Sequence, residues 1–261
     1  MGIALVRRPG PRLDEGIVTH IERTPVDVPL AARQHAAYRA ALAAAGWDVR
    51  EVAPADDRPD AVFVEDTVVI IGDLAVLTRP GAGERRPEVA GTRDALDGLG
   101  LAVAEITEIT EITAPGTLDG GDVLQVGDRV YVGRGGRSND AGIAQLAAHA
   151  ATRGRTVVPV DLRGVLHLKS AVTALPDGSL IGLPELVDTA VLPPVRRAPE
   201  EPGAHVVPVG GGRCLIAASA PETAALLATL GFTALPVDIS EFEKLEGCVT
   251  CLNVLVWSKE G

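Results

Sequence analysis

A glycine that ends a helix and is followed by a strand of alternating apolar residues recurs four times along this chain. Glycine ends helices because it adopts the left-handed conformation readily, and alternation marks a strand with one buried face. The first three copies are spaced by roughly fifty residues, which is typical of repeat architectures. The longer gap before the fourth has room for a degenerate copy, with 190–195 as its strand. The copies are Gly46–Val52, Gly100–Ile106, Gly154–Val160 and Gly231–Val237.

Each full repeat also contains paired strands and an alanine-rich helix. Gly-Asp or Asp-Gly dipeptides at 72–73, 127–128 and 177–178 separate short apolar runs and predict three β-hairpins. Asn139 is a helix-capping residue type, and Pro221 suits the first turn of a helix. We therefore predict five units of the ββαβ type. An ordinary α/β sheet with coincidental spacing is the alternative that the pattern leaves open. The predicted helices cover 29–45, run from 139 to about 153, and begin at 221.

Charge and apolar content limit what the chain can bind. At 261 residues it can form one large domain or two small ones, with a mostly aliphatic core, since aromatic residues make up 3%. The formal net charge of −11 argues against a nucleic-acid partner and suits a cationic small molecule. No long apolar run follows Met1, and three cysteines, an odd number, make no disulfide framework. We therefore expect a cytoplasmic protein without membrane contact.

The thiol of Cys251 is the group that most constrains the function. Far upstream lie His167, in a predicted strand 166–170, and two acidic clusters at 63–67 and 118–122. Hydrolysis at a guanidinium carbon requires such a combination. A thiolate attacks, carboxylates hold and polarise the cation, and a positioned acid protonates the leaving amine.

Cys251 also has other interpretations. A free cysteine is often a small core residue. With Cys248 it forms Cys-x-x-Cys, which occurs in redox dithiols and as half of a zinc site. Cys214 is the only other cysteine of the sequence, so the sequence has no second zinc-binding pair. A redox dithiol normally lies at a helix N-terminus, whereas 252–257 is predicted to be a strand, which favours a nucleophile.

Five motifs occur in the order in which a known family carries them, and they span nearly the whole chain. In these motifs the chain resembles the dimethylarginine dimethylaminohydrolases of the guanidino-group-modifying superfamily. The resemblance implies a five-bladed α/β propeller (pentein) of ββαβ-type repeats. It also implies one catalytic domain over 1–261, with the active site in the central channel. The motifs are Phe63-Val64-Glu65-Asp66, Leu118-Asp119-Gly120-Gly121-Asp122, Arg137-Ser138-Asn139, Leu166-His167-Leu168-Lys169-Ser170 and the segment from Ser240 to Cys251.

The resemblance assigns catalytic roles. Cys251 is implied as the nucleophile, His167 as the general acid and then the base, and Asp119 as the group that orients His167 and favours its imidazolium. The glycine pair after Asp119 then allows close backbone approach. A pair of turn residues is the alternative reading of Asp119 and Asp122. Cys248 is expected on the opposite face of the strand that carries Cys251, since side chains alternate.

Substrate contacts follow from the same resemblance. Asp66 is implied to pair with the guanidinium, with hydrogen-bonding support from Glu65, and Asp60 to receive the α-amino group. A forked guanidinium binds a carboxylate well, and an arginine pair is implied for the α-carboxylate. Backbone carbonyls near two apolar residues complete the pocket, one of them in a lid-like loop over 10–19. The arginines are Arg85 and Arg137, and the apolar residues are Leu245 and, in the loop, Ile17.

Lys169 separates this resemblance from arginine deiminases, which carry His-x-Asp. A methylated nitrogen has fewer N–H donors, so an aspartate there would be buried unpaired at a cost of about 1–3 kcal/mol. We expect hydrolysis of methylated arginine to citrulline and an amine through a covalent Cys251 thiouronium, without metal or cofactor. The protein is expected to be a monomer or homodimer. A deiminase-like hydrolase and a non-catalytic propeller that binds a partner are the alternatives.

Overall fold

Five β-sheets of three strands each make up the fold in the computed structural model, which describes residues 2–98 and 106–258. The strands are β1 Gly2–Val6, β2 Asp48–Glu51, β3 Val68–Ile71, β4 Leu74–Leu77, β5 Glu108–Glu111, β6 Val123–Val126, β7 Arg129–Arg134, β8 Thr156–Asp161, β9 Val172–Ala174, β10 Leu180–Gly182, β11 Val195–Arg197, β12 Val206–Gly210, β13 Arg213–Ala217, β14 Thr233–Val237 and β15 Val254–Trp257. In every sheet the middle strand is antiparallel to an inner strand and parallel to an outer one. This repeat confirms the predicted ββαβ unit.

Helices connect the middle strand to the outer strand in four of the sheets. They are α1 Val28–Ala44, α2 Glu88–Gly98, α3 Asp140–Ala151 and α4 Pro221–Thr229, and a short α5 Ser240–Glu243 follows β14. The side chain of Asn139 caps α3 by accepting from the N–H of Gly142 at 2.8 Å, as its residue type predicts. The glycines after α1, α3 and α4 have positive φ, which explains why a glycine ends each helix.

The predicted strand of the degenerate copy is displaced in the structure. The degenerate copy exists, but its strand is β11 rather than 190–195, because Thr189–Val191 forms a 3-10 turn. Residues 183–194, all of them described, contain two such turns and no α-helix. The predicted strand of Gly100–Ile106 falls largely on residues 99–105, which lie outside the described part of the chain. The outer strand that pairs with β4 is β5.

The five sheets close into a ring around a channel. Within the described residues, five clusters of buried apolar side chains lie between the sheets, and each cluster joins two neighbours. Each fully buried leucine or valine contributes about 1.5–3 kcal/mol relative to an exposed one. The inner strands β3, β6, β9, β12 and β15 line one cavity of about 270 Å³. Pairing of β1 with β15 joins the two ends of the chain in one sheet. Among the described residues, no helix has both the length and the apolar character needed to cross a membrane.

Candidate active site

The turns that precede the inner strands carry the candidate site. Val64–Thr67, Gly120–Asp122 and Leu168–Ser170 are single 3-10 turns that lead toward β3, β6 and β9. His167 begins the third of these turns, so the predicted strand 166–170 is wrong. Cys251 lies in a turn before β15. Because the inner strands surround one channel, these turns meet at the same end of it.

Eight of the ten predicted site residues line one narrow cavity at this end. The other two lie just outside the cavity: Asp119 contacts it through His167, and Glu65 lies on the channel side. Residues that are far apart in sequence are therefore assembled as the motif order predicts. The eight that line the cavity are Ile17, Asp60, Asp66, Arg85, Arg137, His167, Leu245 and Cys251.

His167 lies between two carboxylates. Its Nε2 is 3.0 Å from Asp119 Oδ2 and 3.9 Å from Asp66 Oδ1, and its side chain is 3% exposed. Burial alone would lower the pKa of His167. The charge of Asp66 and the hydrogen bond to Asp119, helped by Asp122, outweigh burial and raise that pKa to about 10. At neutral pH the imidazole is therefore protonated and can serve as a proton donor.

The glycine pair beside Asp119 makes this close arrangement possible. A Cβ at Gly121 would lie 2.7 Å from His167 Nδ1 and 2.8 Å from Asp66 Oδ1. The N–H of Gly121 instead donates to Asp66 Oδ1 at 2.9 Å. A Cβ at Gly120 would lie 2.0 Å from the carbonyl oxygen of Glu65. The predicted need for close backbone approach is confirmed.

Asp122 holds the turn that carries His167. Its Oδ1 accepts from the N–H of Leu168 at 3.0 Å, and its Oδ2 accepts from Ser138 Oγ at 2.6 Å. Burial raises the pKa of Asp122 to about 7, although the charge of His167 opposes the shift. Asp122 lies outside the cavity lining, so its contacts are those of a structural residue.

Raising the pH from about 6.5 to 10 is expected to lower the free energy of unfolding through His167. Its pKa in the folded chain is about 10 against an ordinary value of about 6.5, so its contribution is full below 6.5 and is lost as pH rises through 10. The loss is at most about 5 kcal/mol, from 1.36 kcal/mol per pKa unit. Urea unfolding at a series of pH values should show a smaller decline for His167→Asn. Equal declines in both proteins would contradict this.

Asp66 and Arg85 form a buried ion pair. Arg85 Nη1 donates to Asp66 Oδ2 at 2.5 Å, and its Nε and Nη2 donate to Glu88 at 2.9 to 3.3 Å. Burial alone would raise the pKa of Asp66, but the charges of His167 and Arg85 outweigh it and lower the pKa. Asp66 is therefore an anion that faces the cavity. Arg85 also lines the cavity, but its Nε, Nη1 and Nη2 all donate hydrogen bonds to protein groups, among them the carbonyl of Phe63.

Arg137 and Asp60 are a further cation and a further anion that line the cavity. Arg137 Nη1 is 3.7 Å from Asp119 Oδ2, beyond hydrogen-bond distance, and its side chain is 12% exposed. Asp60 Oδ1 accepts from the N–H of Ile17 at 3.0 Å. Burial raises the pKa of Asp60, although the charge of Arg85 opposes the shift. The backbone of Ile17 thus reaches the site through its N–H, and the contact of its carbonyl with a substrate stays a prediction.

Cys248 lies beside Cys251 and not on the opposite face of a strand. The N–H of Cys251 donates to the carbonyl of Cys248 at 3.1 Å and closes a turn, and β15 begins only at Val254. Strand alternation therefore does not apply, and the predicted placement of Cys248 is wrong. The two Sγ atoms are 3.0 Å apart. Their hydrogen bond lowers the pKa of Cys248 and raises that of Cys251, since one thiol donates to the other sulfur.

Glu65 supports the turn of Cys251 from the channel side. Its carboxylate accepts from Lys169 Nζ at 2.6 Å and from Thr250 Oγ1 at 3.0 Å. Its N–H donates to the carbonyl of Cys251 at 3.2 Å. Burial raises the pKa of Glu65, and the charge of Lys169 opposes that shift. Lys169, which stands where deiminases have aspartate, therefore pairs with Glu65 behind the cavity wall.

Two named relatives match this chain over nearly its whole length. Over 252 residues the chain is 58% identical to N(G),N(G)-dimethylarginine dimethylaminohydrolase of Streptomyces coelicolor, which covers 96% of this chain and 95% of that protein. It is 32% identical over 258 residues to the enzyme of the same name from Pseudomonas aeruginosa, with 96% and 97% covered. The chain belongs to the dimethylarginine dimethylaminohydrolase family. No protein-family model matches it.

Solved structures of dimethylarginine dimethylaminohydrolase share the propeller fold. One, an adduct with S-methyl-L-thiocitrulline, has a TM-score of 0.86 and 29% identity over 97% of this chain and 98% of that one. Another, a cysteine-to-serine mutant from Pseudomonas aeruginosa complexed with citrulline, has a TM-score of 0.86 and 30% identity, with the same shares covered. The predicted five-bladed propeller is confirmed.

Asp66, Asp119 and His167 also group as metal ligands do. One ligand atom from each lies within 4.8 Å of the others. The guanidinium of Arg85 is bonded to Asp66, that of Arg137 lies near Asp119, and His167 is itself cationic. The negative charge of these carboxylates is therefore balanced by protein cations, and the donor set does not fit a divalent metal.

Glu246 is a site residue that sequence reasoning missed. It lines the cavity, and its carboxylate accepts from the N–H groups of Thr19 and His20 at 2.6 and 2.7 Å. It thus fastens the lid-like loop to the turn before Cys251. Its φ of 59° is unusual for a residue other than glycine. No local sequence signal marks this role, because the contact joins segments more than two hundred residues apart.

Proposed function

We propose that this chain hydrolyses Nω-methylated arginines, asymmetric dimethylarginine and monomethylarginine, to citrulline and dimethylamine or methylamine. The observation that carries the proposal is the position of His167 between Asp119 and Asp66, on the same cavity as Cys251. A proton donor, an anion for a guanidinium and a nucleophile thus share one site. The names of the two full-length relatives support the same reaction. The chain acts as one catalytic domain, since β1 and β15 share a sheet.

Binding places the substrate between charges of opposite sign. Asp66, ionised at neutral pH, pairs with the guanidinium, and Asp60 receives the α-amino group near the lid-like loop. Arg137 takes the α-carboxylate, because its guanidinium reaches the cavity without a close carboxylate partner. A substrate cation that displaces Arg85 from Asp66 frees Arg85 Nη1 to join Arg137. Leu245 lines the aliphatic part of the cavity.

The first chemical step forms a carbon–sulfur bond. The bound cation lowers the pKa of the adjacent Cys251 thiol, whose proton goes to bulk water. The thiolate attacks the guanidinium carbon, and the carbon–nitrogen bond to the methylated nitrogen breaks as His167 gives that nitrogen its proton. Dimethylamine or methylamine leaves, and a thiouronium remains on Cys251. Acid catalysis of this kind contributes about 10²–10⁴-fold.

The second step returns the enzyme to its starting state. His167, now neutral, accepts a proton from a water molecule that attacks the thiouronium carbon. The carbon–sulfur bond breaks, the second proton of that water passes to the departing Cys251 sulfur, which is a thiol again, and the carbonyl oxygen of citrulline comes from the water. Asp119 keeps the imidazole oriented in both steps through its 3.0 Å hydrogen bond to Nε2.

The decisive experiment compares two substrates. Lys169 offers no carboxylate to an unsubstituted guanidinium nitrogen, and its ammonium is paired with Glu65. Asymmetric dimethylarginine should therefore be converted to citrulline and dimethylamine, with kcat/KM at least about tenfold above that for arginine. Citrulline is measured for both substrates and dimethylamine for the first. Faster turnover of arginine would assign the chain to the deiminases.

Arg137→Ala is expected to raise KM by about 10–100-fold, since a charge-assisted hydrogen bond contributes about 1.5–3 kcal/mol. The defect should shrink for N,N-dimethylagmatine, which lacks the α-carboxylate. Arg134→Ala is the matched control, because Arg134 pairs with Asp161 on the exposed surface. Steady-state kinetics with both substrates give the comparison. An equal defect with the truncated substrate would refute the carboxylate contact.

A further inference from the structure

Cys248 and Cys251 are placed as a disulfide would require. Both are reduced, with their Sγ atoms 3.0 Å apart. A disulfide needs sulfurs about 2.05 Å apart, so closure takes a movement of about 1 Å. The turn over 248–251 brings its first and last Cα atoms within about 7 Å, close to the range of about 4.4–6.8 Å that disulfides span. The bond can therefore form without rearrangement of the fold.

The surroundings hold the two sulfurs in this arrangement. Cys248 Sγ is 3.2 Å from Thr250 Oγ1, which donates to Glu65. The N–H of Cys248 lies 3.4 Å from Cys251 Sγ. A Cβ on the preceding Gly247 would lie 2.4 Å from the ring of Phe63, so the backbone before the turn is tightly packed. The short distance between the sulfurs is thus fixed by contacts on several sides.

The two thiols differ in access. Cys251 lines the cavity and is 7% exposed, whereas Cys248 is 2% exposed and is not part of the lining. A small oxidant that enters the cavity therefore meets Cys251 first, with Cys248 as its immediate neighbour. Cys214, by contrast, is fully buried in β13 within a different apolar cluster, and burial raises its pKa to about 12. It is the unreactive comparison within the same chain.

We propose that Cys248 is a resolving thiol, which captures an oxidised Cys251 as an intrachain disulfide and thereby makes oxidative loss of activity reversible. The proposal rests on the proposed function in one respect, the assignment of Cys251 as the nucleophile. It gives Cys248 a role outside the hydrolysis reaction. A hydroperoxide, with hydrogen peroxide as the simplest case, is the oxidant that the narrow cavity admits.

The chemistry proceeds in two balanced steps. The Cys251 thiol gives up its proton and the resulting thiolate attacks one peroxide oxygen; a sulfur–oxygen bond forms, the oxygen–oxygen bond breaks, and the hydroxide that leaves takes up that proton to become water. Cys251 is now a sulfenic acid, oxidised by two electrons. The Cys248 thiolate attacks the Cys251 sulfur, the sulfur–sulfur bond forms, and the sulfenic oxygen leaves as hydroxide, which becomes a second water. Two thiols and one peroxide thus give one disulfide and two waters.

The test oxidises the full-length chain with hydrogen peroxide and then adds dithiothreitol. Wild type and the control Cys214→Ala should lose activity and regain at least about nine-tenths of it. Cys248→Ser should also lose activity with hydrogen peroxide, but dithiothreitol should restore less than about a third of the activity that this variant had before oxidation. An unresolved sulfenic acid oxidises further to the sulfinic acid, which dithiothreitol does not reduce. Mass spectrometry of the tryptic peptide 245–259 should show the loss of two hydrogens in wild type and two added oxygens in Cys248→Ser.

Three results would overturn the proposal. One is an oxidised wild type that carries sulfinic Cys251 without the disulfide, and another is full recovery of Cys248→Ser. The third is a disulfide that includes Cys214. The peptide masses do not depend on turnover, so this test is separate from that of the function. A reduced wild type that makes no citrulline would refute the proposed function, whereas an active wild type without the disulfide would refute only the role of Cys248.

Discussion

Cys251→Ser is expected to abolish citrulline formation and to leave the fold intact. A serine hydroxyl is not ionised near neutral pH, so the covalent thiouronium cannot form at a useful rate. Loss of a nucleophile lowers kcat by at least about 10⁴-fold in comparable enzymes. The free energy of unfolding should change by less than about 1 kcal/mol, because a hydroxyl of similar size keeps a hydrogen bond to Cys248. Activity assays and urea unfolding of the same preparation measure both effects.

The covalent intermediate gives an independent check on Cys251. Rapid quenching of wild type during turnover should trap an adduct, and fragmentation of the peptide 245–259 should place it on Cys251. Cys214→Ser is the matched control, since its side chain lies in β13, away from the cavity, and it should retain turnover. An adduct on Cys248, or turnover by Cys251→Ser near the wild-type rate, would show that another group attacks the substrate.

His167→Asn is expected to stall after the first chemical step. Amine departure and hydrolysis of the thiouronium both need His167, and each loses about 10²–10⁴-fold without it. A substrate whose leaving group needs no proton, such as S-methyl-L-thiocitrulline, bypasses the first requirement. The variant should then release about one equivalent of methanethiol in a burst, with negligible steady turnover. Stopped-flow detection of the thiol, with the adduct confirmed by mass, measures the burst.

His205→Asn provides the matched control for the burst. His205 also precedes an inner strand, β12, and its Nε2 contacts the carbonyl of Ser170 at 2.8 Å, but it does not line the cavity. This variant should show steady turnover with the same substrate. Steady turnover by His167→Asn near the wild-type rate would exclude His167 as the base and direct attention to Asp119.

Much of the fold could be predicted because its signals are local. Gly46, Gly154 and Gly231 have the positive φ that ends a helix, so their recurrence marked the repeats. The motifs also predicted most of the site residues. Each motif lies just before an inner strand or in a loop beside one. The channel then brings those positions together, which explains why distant residues line one cavity.

Contacts between distant segments could not be predicted in the same way. The placement of Cys248 failed because strand alternation was extended into what is a turn. The ion pairs of Arg85 with Asp66 and Glu88 depend on how its turn packs against two others. Glu246 holds the lid-like loop by accepting hydrogen bonds from the backbone N–H groups of Thr19 and His20. Backbone N–H groups occur in almost every residue type, so the sequence does not indicate this contact. Such arrangements follow from packing and not from local preference.

The pairing of β1 with β15 has a consequence for how the site is assembled. Leu5 pairs with Val254, three residues after Cys251, so a strand more than two hundred residues away in sequence holds the segment that carries the thiol. A folding intermediate in which this pairing has not formed can bring the acids and the imidazole together but cannot hold the thiol beside them. Activity is therefore expected to appear only when the ring closes, and a chain cut short before Val254 is expected to be inactive and not merely weakened.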